Sequence, residues 1–231
     1  MRIAVAQHSP KAGAVEENIE KHLILIQSAV DQKCDALFFN ELSLTSYEPD
    51  RAVELQMSLD DPRLKVFQEW SDSSEIVIVV GLPLTVLSGI QIANAVFQPH
   101  QPIAIYSKQI LHESESAMFV PGDKQLILNI KGKKVAMGIC YESLQESHFS
   151  NCVALGTDIY IVSTAKKQEG LQAAMDFYSY ASKKYQIPVM MSNSSGITTR
   201  FECIGNSAVW KNGVLLNQLS KNSESILYED F

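Results

Sequence analysis

Three side chains that can take part in acyl transfer each follow a short apolar stretch: Glu41, Lys108 and Cys140. A thiol is a nucleophile, a buried carboxylate can act as its base, and an ammonium group can stabilise an oxyanion. Sites in α/β proteins gather at the carboxyl ends of strands, so the three groups could meet at one sheet edge. Each alone has a plainer explanation, because Glu and Lys are usually solvated and free Cys is often a buried structural residue.

The Cys140 segment carries the strongest chemical signal. Residues 135–139 form an apolar run preceded by lysines, which predicts a buried strand that ends at the cysteine. Gly138 has no side chain, so another backbone or a substrate can approach closely there. The polar stretch after Glu142 predicts a helix, whose dipole would lower the pKa of the Cys140 thiol.

The elements that must position these groups alternate between strand and helix patterns. Short apolar runs predict strands at residues 3–7, 36–39, 75–82, 93–98, 103–108, 126–130, 135–139, 159–163, 189–192, 206–210 and 214–219. Helical spacing predicts helices at residues 15–32, from Pro62, from Cys140 to Leu155, and at 171–185. Hairpin signals lie at 100–102, 131–132 and 212–213. We therefore predict one α/β domain over residues 1–231, with about ten strands in more than one mixed sheet.

Composition and charge narrow the class of protein. The 231 residues are 46% hydrophobic with a net charge of −7. The sequence has no basic patch, which argues against binding to nucleic acid. The four cysteines have no spacing typical of a zinc site, and they suggest a reducing compartment. No signal peptide or membrane-length apolar run is found, so we expect a cytoplasmic protein without a membrane partner.

Three segments, in order along the chain, resemble motifs of the nitrilase, or carbon–nitrogen hydrolase, superfamily. Residues 38–47 resemble its general-base segment, 105–111 its lysine motif and 138–142 its nucleophile elbow. Weaker matches lie at residues 115–122, 193–196 and 205–207. Two positions depart from the family pattern, because Asn40 stands where Pro is common and Ser107 where Arg is common.

The resemblance implies a four-layer αββα sandwich and a Glu41–Lys108–Cys140 triad that needs no metal and no cofactor. Glu41 would take the thiol proton, Cys140 would attack a carbonyl carbon, and Lys108 with the backbone N–H of Tyr141 would hold the oxyanion. Glu41 would then protonate the departing amine and activate the water that hydrolyses the thioester. Glu115 is expected beside Lys108, where it would orient the ammonium group or steer the substrate.

Other residues near these motifs have two explanations each. Tyr47 and Phe119 are expected to shape the pocket or, equally, to pack in the core, whereas Glu142 is expected to act at the site. His112 fits a solvated loop better than the cleft, and His148, about two helical turns after Cys140, is expected on the surface.

The remaining lysines and cysteines near the motifs are expected to be mainly solvent-exposed or structural. Lys166 and Lys167 could bind an acidic substrate group, although such lysines are more often solvated. The other three cysteines are expected to be inert and buried, namely Cys34, Cys152 and Cys203.

Three functions are compatible with the resemblance. The first is an amidase-type hydrolase of small linear amides, ω-amides or N-carbamoyl compounds, favoured by Tyr141 after the nucleophile. The second is a nitrile hydrolase, and the third is a non-catalytic binding or scaffold subunit. The presence of Glu41, Lys108 and Cys140 together argues against the third. By analogy with the family, we also expect a homodimer.

Overall fold

The computed structural model describes residues 1–231, which form fourteen strands and five α-helices. The strands are β1 (Arg2–Gln7), β2 (Ala36–Phe38), β3 (Val77–Val86), β4 (Gly89–Phe97), β5 (Ala104–Ser107), β6 (Ile127–Ile130), β7 (Lys133–Ile139), β8 (Ile159–Thr164), β9 (Val189–Asn193), β10 (Ser195–Ile197), β11 (Glu202–Ile204), β12 (Ala208–Lys211), β13 (Val214–Gln218) and β14 (Ser225–Asp230). The helices are α1 (Val15–Asp31), α2 (Ala52–Leu55), α3 (Lys65–Ser74), α4 (Glu146–Ala154) and α5 (Gln168–Tyr185). None of these helices combines the length and apolar character that crossing a bilayer requires.

Two six-stranded sheets face each other across an apolar core. The first has the order β14-β1-β2-β3-β4-β5, and the second has the order β13-β12-β9-β8-β7-β6. Because side chains alternate along a strand, Ile3 and Val5 belong to the core between the sheets, whereas Ala4 and Ala6 belong to the core under the outer helices. Helices α1 and α3 cover the first sheet and α4 and α5 the second, which confirms the predicted four-layer αββα sandwich.

The strand directions bring the ends of several strands to one edge. Strands β1, β2 and β3 are parallel in the first sheet, and β7, β8 and β9 are parallel in the second. Strand β4 is antiparallel to both β3 and β5, so β5 runs in the same direction as β3. Glu41 follows β2, Lys108 follows β5 and Cys140 follows β7, which places all three near strand ends.

Side-chain hydrogen bonds join the two sheets beside this edge. The hydroxyl of Ser163 on β8 donates to the carbonyl of Phe39, next to β2, at 2.7 Å. The amide of Asn94 on β4 donates to the same hydroxyl at 3.3 Å. These buried contacts fix the position of the strand carrying Glu41 relative to the sheet carrying Cys140.

Several elements differ from the sequence predictions, among them the short elements β10, β11 and α2, which were not predicted. Strand β14, which was not predicted, pairs antiparallel with β1 at the sheet edge, and only Ile226 and Leu227 of its residues are buried. The helix predicted directly after Cys140 is instead a single 3₁₀ turn, Glu142–Leu144, followed by the separate helix α4.

Candidate active site

Glu41 lies in a buried loop that follows β2. Its Oε1 accepts a hydrogen bond from Lys108 Nζ at 2.8 Å, and the whole residue is only 1% exposed. Its Oε2 has no hydrogen-bond partner, and the thiol of Cys140 is near enough to affect the pKa of the carboxylate. A buried carboxylate with a free oxygen beside a thiol is placed to take the thiol proton.

Lys108 lies between two carboxylates. Its Nζ is 2.8 Å from Glu41 Oε1 and 2.7 Å from Glu115 Oε1, and all three side chains are essentially inaccessible to solvent. Glu115 also accepts hydrogen bonds from the hydroxyl of Tyr47 at 2.9 Å and from the backbone N–H of His112 at 2.8 Å. This network holds the ammonium group in one place, as expected for a buried cation that must be paired.

Cys140 lies on a strained turn between β7 and the following 3₁₀ turn. Its φ of +48° is in the left-handed region, which is unusual for a residue other than glycine. The turn is held on both sides, because its N–H donates to the carbonyl of Ser163 at 2.9 Å and its carbonyl accepts from Ser143 Oγ at 2.6 Å. This geometry fixes the direction in which the thiol leaves the backbone.

The missing side chain of Gly138 makes room for a tyrosine. A Cβ at this position would overlap with the hydroxyl of Tyr160 and would lie 3.2 Å from Ser143 Cβ. The close neighbours of Gly138 are thus side chains of β8 and of the turn after Cys140, and the expected close approach of a backbone or a substrate is not seen.

Burial and charge shift the pKa values of the three groups. Burial raises the pKa of the Cys140 thiol and the charge of Glu41 raises it further, while Lys166 and Lys108 oppose them. The expectation of a lowered thiol pKa is therefore wrong, because burial and the charge of Glu41 disfavour the thiolate more than the two lysines favour it. Burial also raises the pKa of Glu41 against the opposing charge of Lys108. Burial lowers the pKa of Lys108, but the charges of Glu41, Cys140 and Glu115 outweigh it, so this pKa is raised.

A cavity of about 350 Å³ opens onto Cys140. Neither Glu41 nor Lys108 is part of its wall, although Glu115, the partner of Lys108, is. Its wall is formed by Tyr47, His112, Ser114, Glu115, Cys140, Tyr141, Ala165, Lys166, Lys167, Gly170, Arg200 and Phe201. A small molecule in this cavity could therefore contact the sulfur.

Lys166 contributes to the site in a way that the sequence did not indicate. It is only 8% exposed, and its Nζ lies 3.7 Å from the sulfur of Cys140. The side chain of Asn193 holds the loop, because its Oδ1 accepts from the Lys166 N–H at 2.8 Å and its amide donates to the Gly205 carbonyl at 2.7 Å. The segments near Asn193 and Gly205 that resembled family motifs thus support the loop that carries Lys166.

Glu142 joins the segments that carry the other candidates but does not line the cavity. It is fully buried and accepts hydrogen bonds from the N–H groups of Ile139 at 2.7 Å and Gln109 at 2.5 Å. The hydroxyl of Tyr106 donates to it at 2.6 Å. Burial raises its pKa to about 7 in spite of these donors. Glu142 is therefore placed to position its neighbours, not to touch a substrate.

The prediction that His148 lies on the surface is wrong. It is 3% exposed, and its ring contacts the hydroxyls of Tyr106 at 2.8 Å and Tyr160 at 2.9 Å. Because α4 begins only at Glu146, the turn of the helix differs from the predicted one and directs His148 towards the sheet. Burial lowers the pKa of its imidazole to about 4, so the ring is neutral near neutral pH.

The other predicted residues divide between cavity and core. Tyr141 is 36% exposed and lines the cavity, where its ring packs edge-on against His112 at 5.1 Å between centroids. Tyr47 also lines the cavity, whereas Phe119 belongs to the core between the sheets. The cysteines away from the site are free and buried, namely Cys34, Cys152 and Cys203. No group of three or more His, Cys, Asp or Glu side chains is arranged to hold a metal ion.

Nearly the whole chain matches the model of one protein family. The match is to the carbon–nitrogen hydrolases and covers residues 2–231. The chain belongs to the carbon–nitrogen hydrolase family. This finding confirms the resemblance found in the sequence, and with it the predicted class of enzyme.

The curated relatives of this carbon–nitrogen hydrolase are longer proteins. A glutamine-dependent NAD(+) synthetase of Acinetobacter baylyi is 24% identical over 238 residues, covering 100% of this chain and 44% of that protein. The synthetase of the same description from Thermotoga maritima is 26% identical over 174 residues, covering 71% of this chain and 29% of that protein. The chain thus spans less than half the length of these relatives.

Solved structures of similar shape cover the whole chain. An amidase of Nesterenkonia sp. AN1 superposes with a TM-score of 0.91 at 22% identity, covering 100% of this chain and 92% of that protein. A glutamate variant of that amidase, also with a TM-score of 0.91 and 21% identity, shows acrylamide added to its active-site cysteine. At this level of identity, the likeness establishes that the two proteins share a fold.

Proposed function

We propose that this protein hydrolyses the C–N bond of a small linear amide or N-carbamoyl compound through a Cys140 thioester, releasing ammonia or an amine. The observation that carries the proposal is the meeting of Glu41, Lys108 and Cys140 behind a cavity that opens onto the sulfur. The three residues come from separate segments, and each is the type of group that one step of amide hydrolysis needs.

In the first half of the reaction, the proton of Cys140 moves to Glu41 and the sulfur attacks the carbonyl carbon of the amide. The carbonyl oxygen becomes an oxyanion, which the ammonium group of Lys108 and the backbone N–H of Tyr141 stabilise. When the tetrahedral intermediate collapses, the C–N bond breaks and Glu41 returns the proton to the departing nitrogen. An acyl thioester remains on Cys140.

In the second half, water replaces the amine. Glu41 takes a proton from the water, whose oxygen attacks the thioester carbon, and the same donors stabilise the second oxyanion. Collapse of this intermediate releases a carboxylic acid and returns the proton to the sulfur. Glu115 takes no part in these proton transfers and keeps Lys108 in place between the two carboxylates.

The size and shape of the cavity would determine which acyl groups the substrate can carry. A volume of about 350 Å³ suits a small substrate, and the wall includes the rings of Tyr47, Tyr141 and Phe201. The structure of a cysteine variant of the Nesterenkonia amidase has been solved in complex with butyramide, which is a small linear amide. This favours short amides as the first substrates to test.

The proposal is tested by measuring ammonia release from a panel of short amides, N-carbamoyl compounds, ω-amides and nitriles. We expect turnover of at least one amide or carbamoyl compound, and a covalent acyl adduct on Cys140 by mass spectrometry. The Cys140→Ala variant should keep the fold and lose turnover. Equal activity in Cys140→Ala would contradict the mechanism, and turnover of nitriles alone would replace it with nitrile hydrolysis.

We also propose that residues 1–231 form a single hydrolase domain that assembles as a homodimer in the cytoplasm. All four cysteines are free, as in a reducing compartment. The edge strand β13 exposes Val214, Leu215 and Leu216, which are apolar side chains suited to contact with a second copy. Light scattering coupled to size-exclusion chromatography should give twice the monomer mass, and a monomer at micromolar concentration would contradict the dimer.

A further inference from the structure

The cavity wall brings an ammonium group next to the nucleophile from outside the expected triad. Lys166 Nζ lies 3.7 Å from Cys140 Sγ, and both groups line the cavity. Lys166 has no carboxylate within ion-pair distance, in contrast to Lys108, which has two. A nearly buried cation without an anionic partner is unfavourable unless a negative charge develops beside it.

We propose that Lys166 is a catalytic residue that stabilises the thiolate form of Cys140. The inference deepens the proposed function, because it concerns the nucleophile of that same reaction. When the thiol proton moves to Glu41, the negative charge leaves the carboxylate beside Lys108 and appears on the sulfur beside Lys166. After the transfer, the thiolate is paired with Lys166 and Glu115 is paired with Lys108. Neither anion is left without a neighbouring cation.

The position of Lys166 is fixed by its backbone. Its N–H donates to Asn193 Oδ1 at 2.8 Å, and its carbonyl accepts from the N–H of Ile204 at 3.2 Å. These bonds fix the backbone of Lys166 just after β8, the strand next to β7, and its ammonium group extends from there to the sulfur. A held cation lowers the free energy of a nearby anion more than a mobile one, because little reorganisation is needed.

No other group around the sulfur places a cation in contact with it, although the charge of Lys108 also acts to lower the pKa of the thiol. Glu41 and Glu115 are acidic, and Lys108 contacts both of them but not the sulfur. Burial raises the pKa of each neighbouring phenol or thiol, which keeps it neutral near neutral pH: Tyr47, Tyr178 and Cys203. His112 and Tyr141 line the same cavity. Lys166 is the cation within hydrogen-bond distance of the sulfur.

The test measures the pH dependence of Cys140 alkylation by iodoacetamide, followed by mass spectrometry of the peptide that contains Cys140. In Lys166→Met the midpoint of this dependence should move upward by about one to three pH units, as expected for loss of an adjacent opposite charge. Lys166→Arg keeps a cation and should restore most of the shift. Lys167→Met removes the neighbouring charge, which is exposed and pairs with Glu169 at 3.8 Å, and should leave the midpoint in place.

Two results would overturn the inference. One is a Lys166→Met midpoint equal to that of the wild type in a variant whose circular dichroism and melting temperature are unchanged. The other is a Lys166→Met variant that reacts more slowly with the anionic reagent iodoacetate alone, which would make Lys166 an anion-binding group only. Alkylation needs no substrate, so a protein that hydrolyses no amide but shows the midpoint shift would contradict the proposed function and still show that Lys166 stabilises the thiolate.

Discussion

At the scale of single residues, the site is a series of neighbouring acidic and basic side chains with the Cys140 thiol among them. Glu115 and Glu41 lie on either side of Lys108, and the sulfur of Cys140 lies between Glu41 and Lys166. Burial strengthens every interaction in this series, because little solvent is available to screen it. The loss of any one charge therefore affects its neighbours as well.

The first prediction concerns the carboxylate that lies farthest from the sulfur. Glu115→Gln leaves Lys108 with Glu41 as its only anionic partner and places an amide beside the ammonium group. We expect the variant to be less stable by about 3 kcal/mol or more, since breaking a buried ion pair leaves a charge uncompensated. We also expect kcat to fall at least about tenfold, because the position of Lys108 is no longer fixed. Urea unfolding and steady-state kinetics measure the two effects.

A milder change at the same carboxylate provides the control. Tyr47→Phe removes one neutral donor to Glu115 and keeps both charges, so the loss of stability should be about 1 kcal/mol. If Glu115→Gln is no more destabilising than Tyr47→Phe, the ion pair with Lys108 is not what holds the network together.

The sequence predicted some of these residues and not others for a physical reason. Lys108 and Cys140 come directly after a strand and Glu41 follows the apolar run 36–39 after one residue, so local pattern and residue type both pointed to the site. Lys166 follows its strand by two positions and sits beside Lys167, and nothing in that pattern tells which lysine is buried. The loop that buries Lys166 is held by Asn193, which is 27 positions away in the sequence and accepts a hydrogen bond from the backbone N–H of Lys166.

At the scale of elements, one buried side chain joins the lysine segment to the nucleophile segment. Glu142 accepts from Gln109, the residue after Lys108, and from Ile139, the residue before Cys140. Two of the three proposed catalytic groups are therefore positioned relative to each other by a single carboxyl group. Glu142 acts through its neighbours and is a positioning residue.

The second prediction follows from this connection. Glu142→Gln retains the shape of the side chain but replaces an accepting oxygen by a donor that faces backbone N–H groups. We expect a loss of stability of about 2–3 kcal/mol, the size of a hydrogen bond to a charged group, and a fall in kcat with little change in KM. Kinetics and urea unfolding of the variant measure both.

The matched control for Glu142 is an exposed glutamate four positions later. Glu146 pairs on the surface with Lys184, where solvent screens the charges, so Glu146→Gln should leave both stability and kcat nearly unchanged. An increase in KM without a fall in kcat for Glu142→Gln would show that the residue contributes to substrate binding instead.

The third prediction concerns the close packing of β7 against β8. Gly138→Ala places a methyl group against the Tyr160 hydroxyl, so the strand before Cys140 must shift. We expect a loss of about 1–3 kcal/mol in the free energy of unfolding, with a parallel loss of activity. Gly170→Ala, at a helical position where the new methyl group meets no atom within 4 Å, should be neutral or stabilising. Equal melting temperatures for the two variants would contradict this account.

Prediction of the elements from sequence succeeded where burial is strong on both faces and failed elsewhere. Strand β8 was predicted to within one residue of its observed limits, whereas β3 extends four residues beyond its predicted end. Strand β14 has only two buried residues among acidic ones, and its pairing with β1 across more than 200 positions gives no local signal. The start of α4 was misplaced because the 3₁₀ turn after Cys140 depends on contacts of Glu142 with distant backbone.

At the scale of the whole molecule, the outer helices also support the site. His22 of α1 contacts the loop after Glu41, because its Nε2 lies 2.9 Å from the Ser43 hydroxyl. Its Nδ1 lies 2.6 Å from the carbonyl of Asn18, which requires a proton on Nδ1, so Nε2 accepts. His8 packs edge-on against His22 at 4.6 Å, and burial lowers the pKa of both rings, to about 4 for His22.

The fourth prediction is a loss of stability in mild acid that comes in part from these rings. The folded protein keeps His22 neutral down to a pKa of about 4, whereas the unfolded chain takes up the proton near its usual 6.5. The stabilising contribution is therefore complete above pH 6.5 and is lost as the pH falls from 6.5 to 4. Between pH 7 and 5 the loss should be about 2 kcal/mol for His22 alone. Burial of Glu142, with its pKa raised to about 7, acts in the opposite direction over this range.

Urea unfolding of the wild type and of His22→Gln at pH 7 and pH 5 separates the contribution of the ring. The variant should be less stable at pH 7, because it loses a buried ring, but it should lose about 2 kcal/mol less than the wild type on acidification. Since His22 holds the loop that carries Glu41, alkylation of Cys140 in the wild type should also decline between pH 7 and 5 more steeply than in the variant. An identical loss of stability in both proteins would show that the acid sensitivity arises elsewhere.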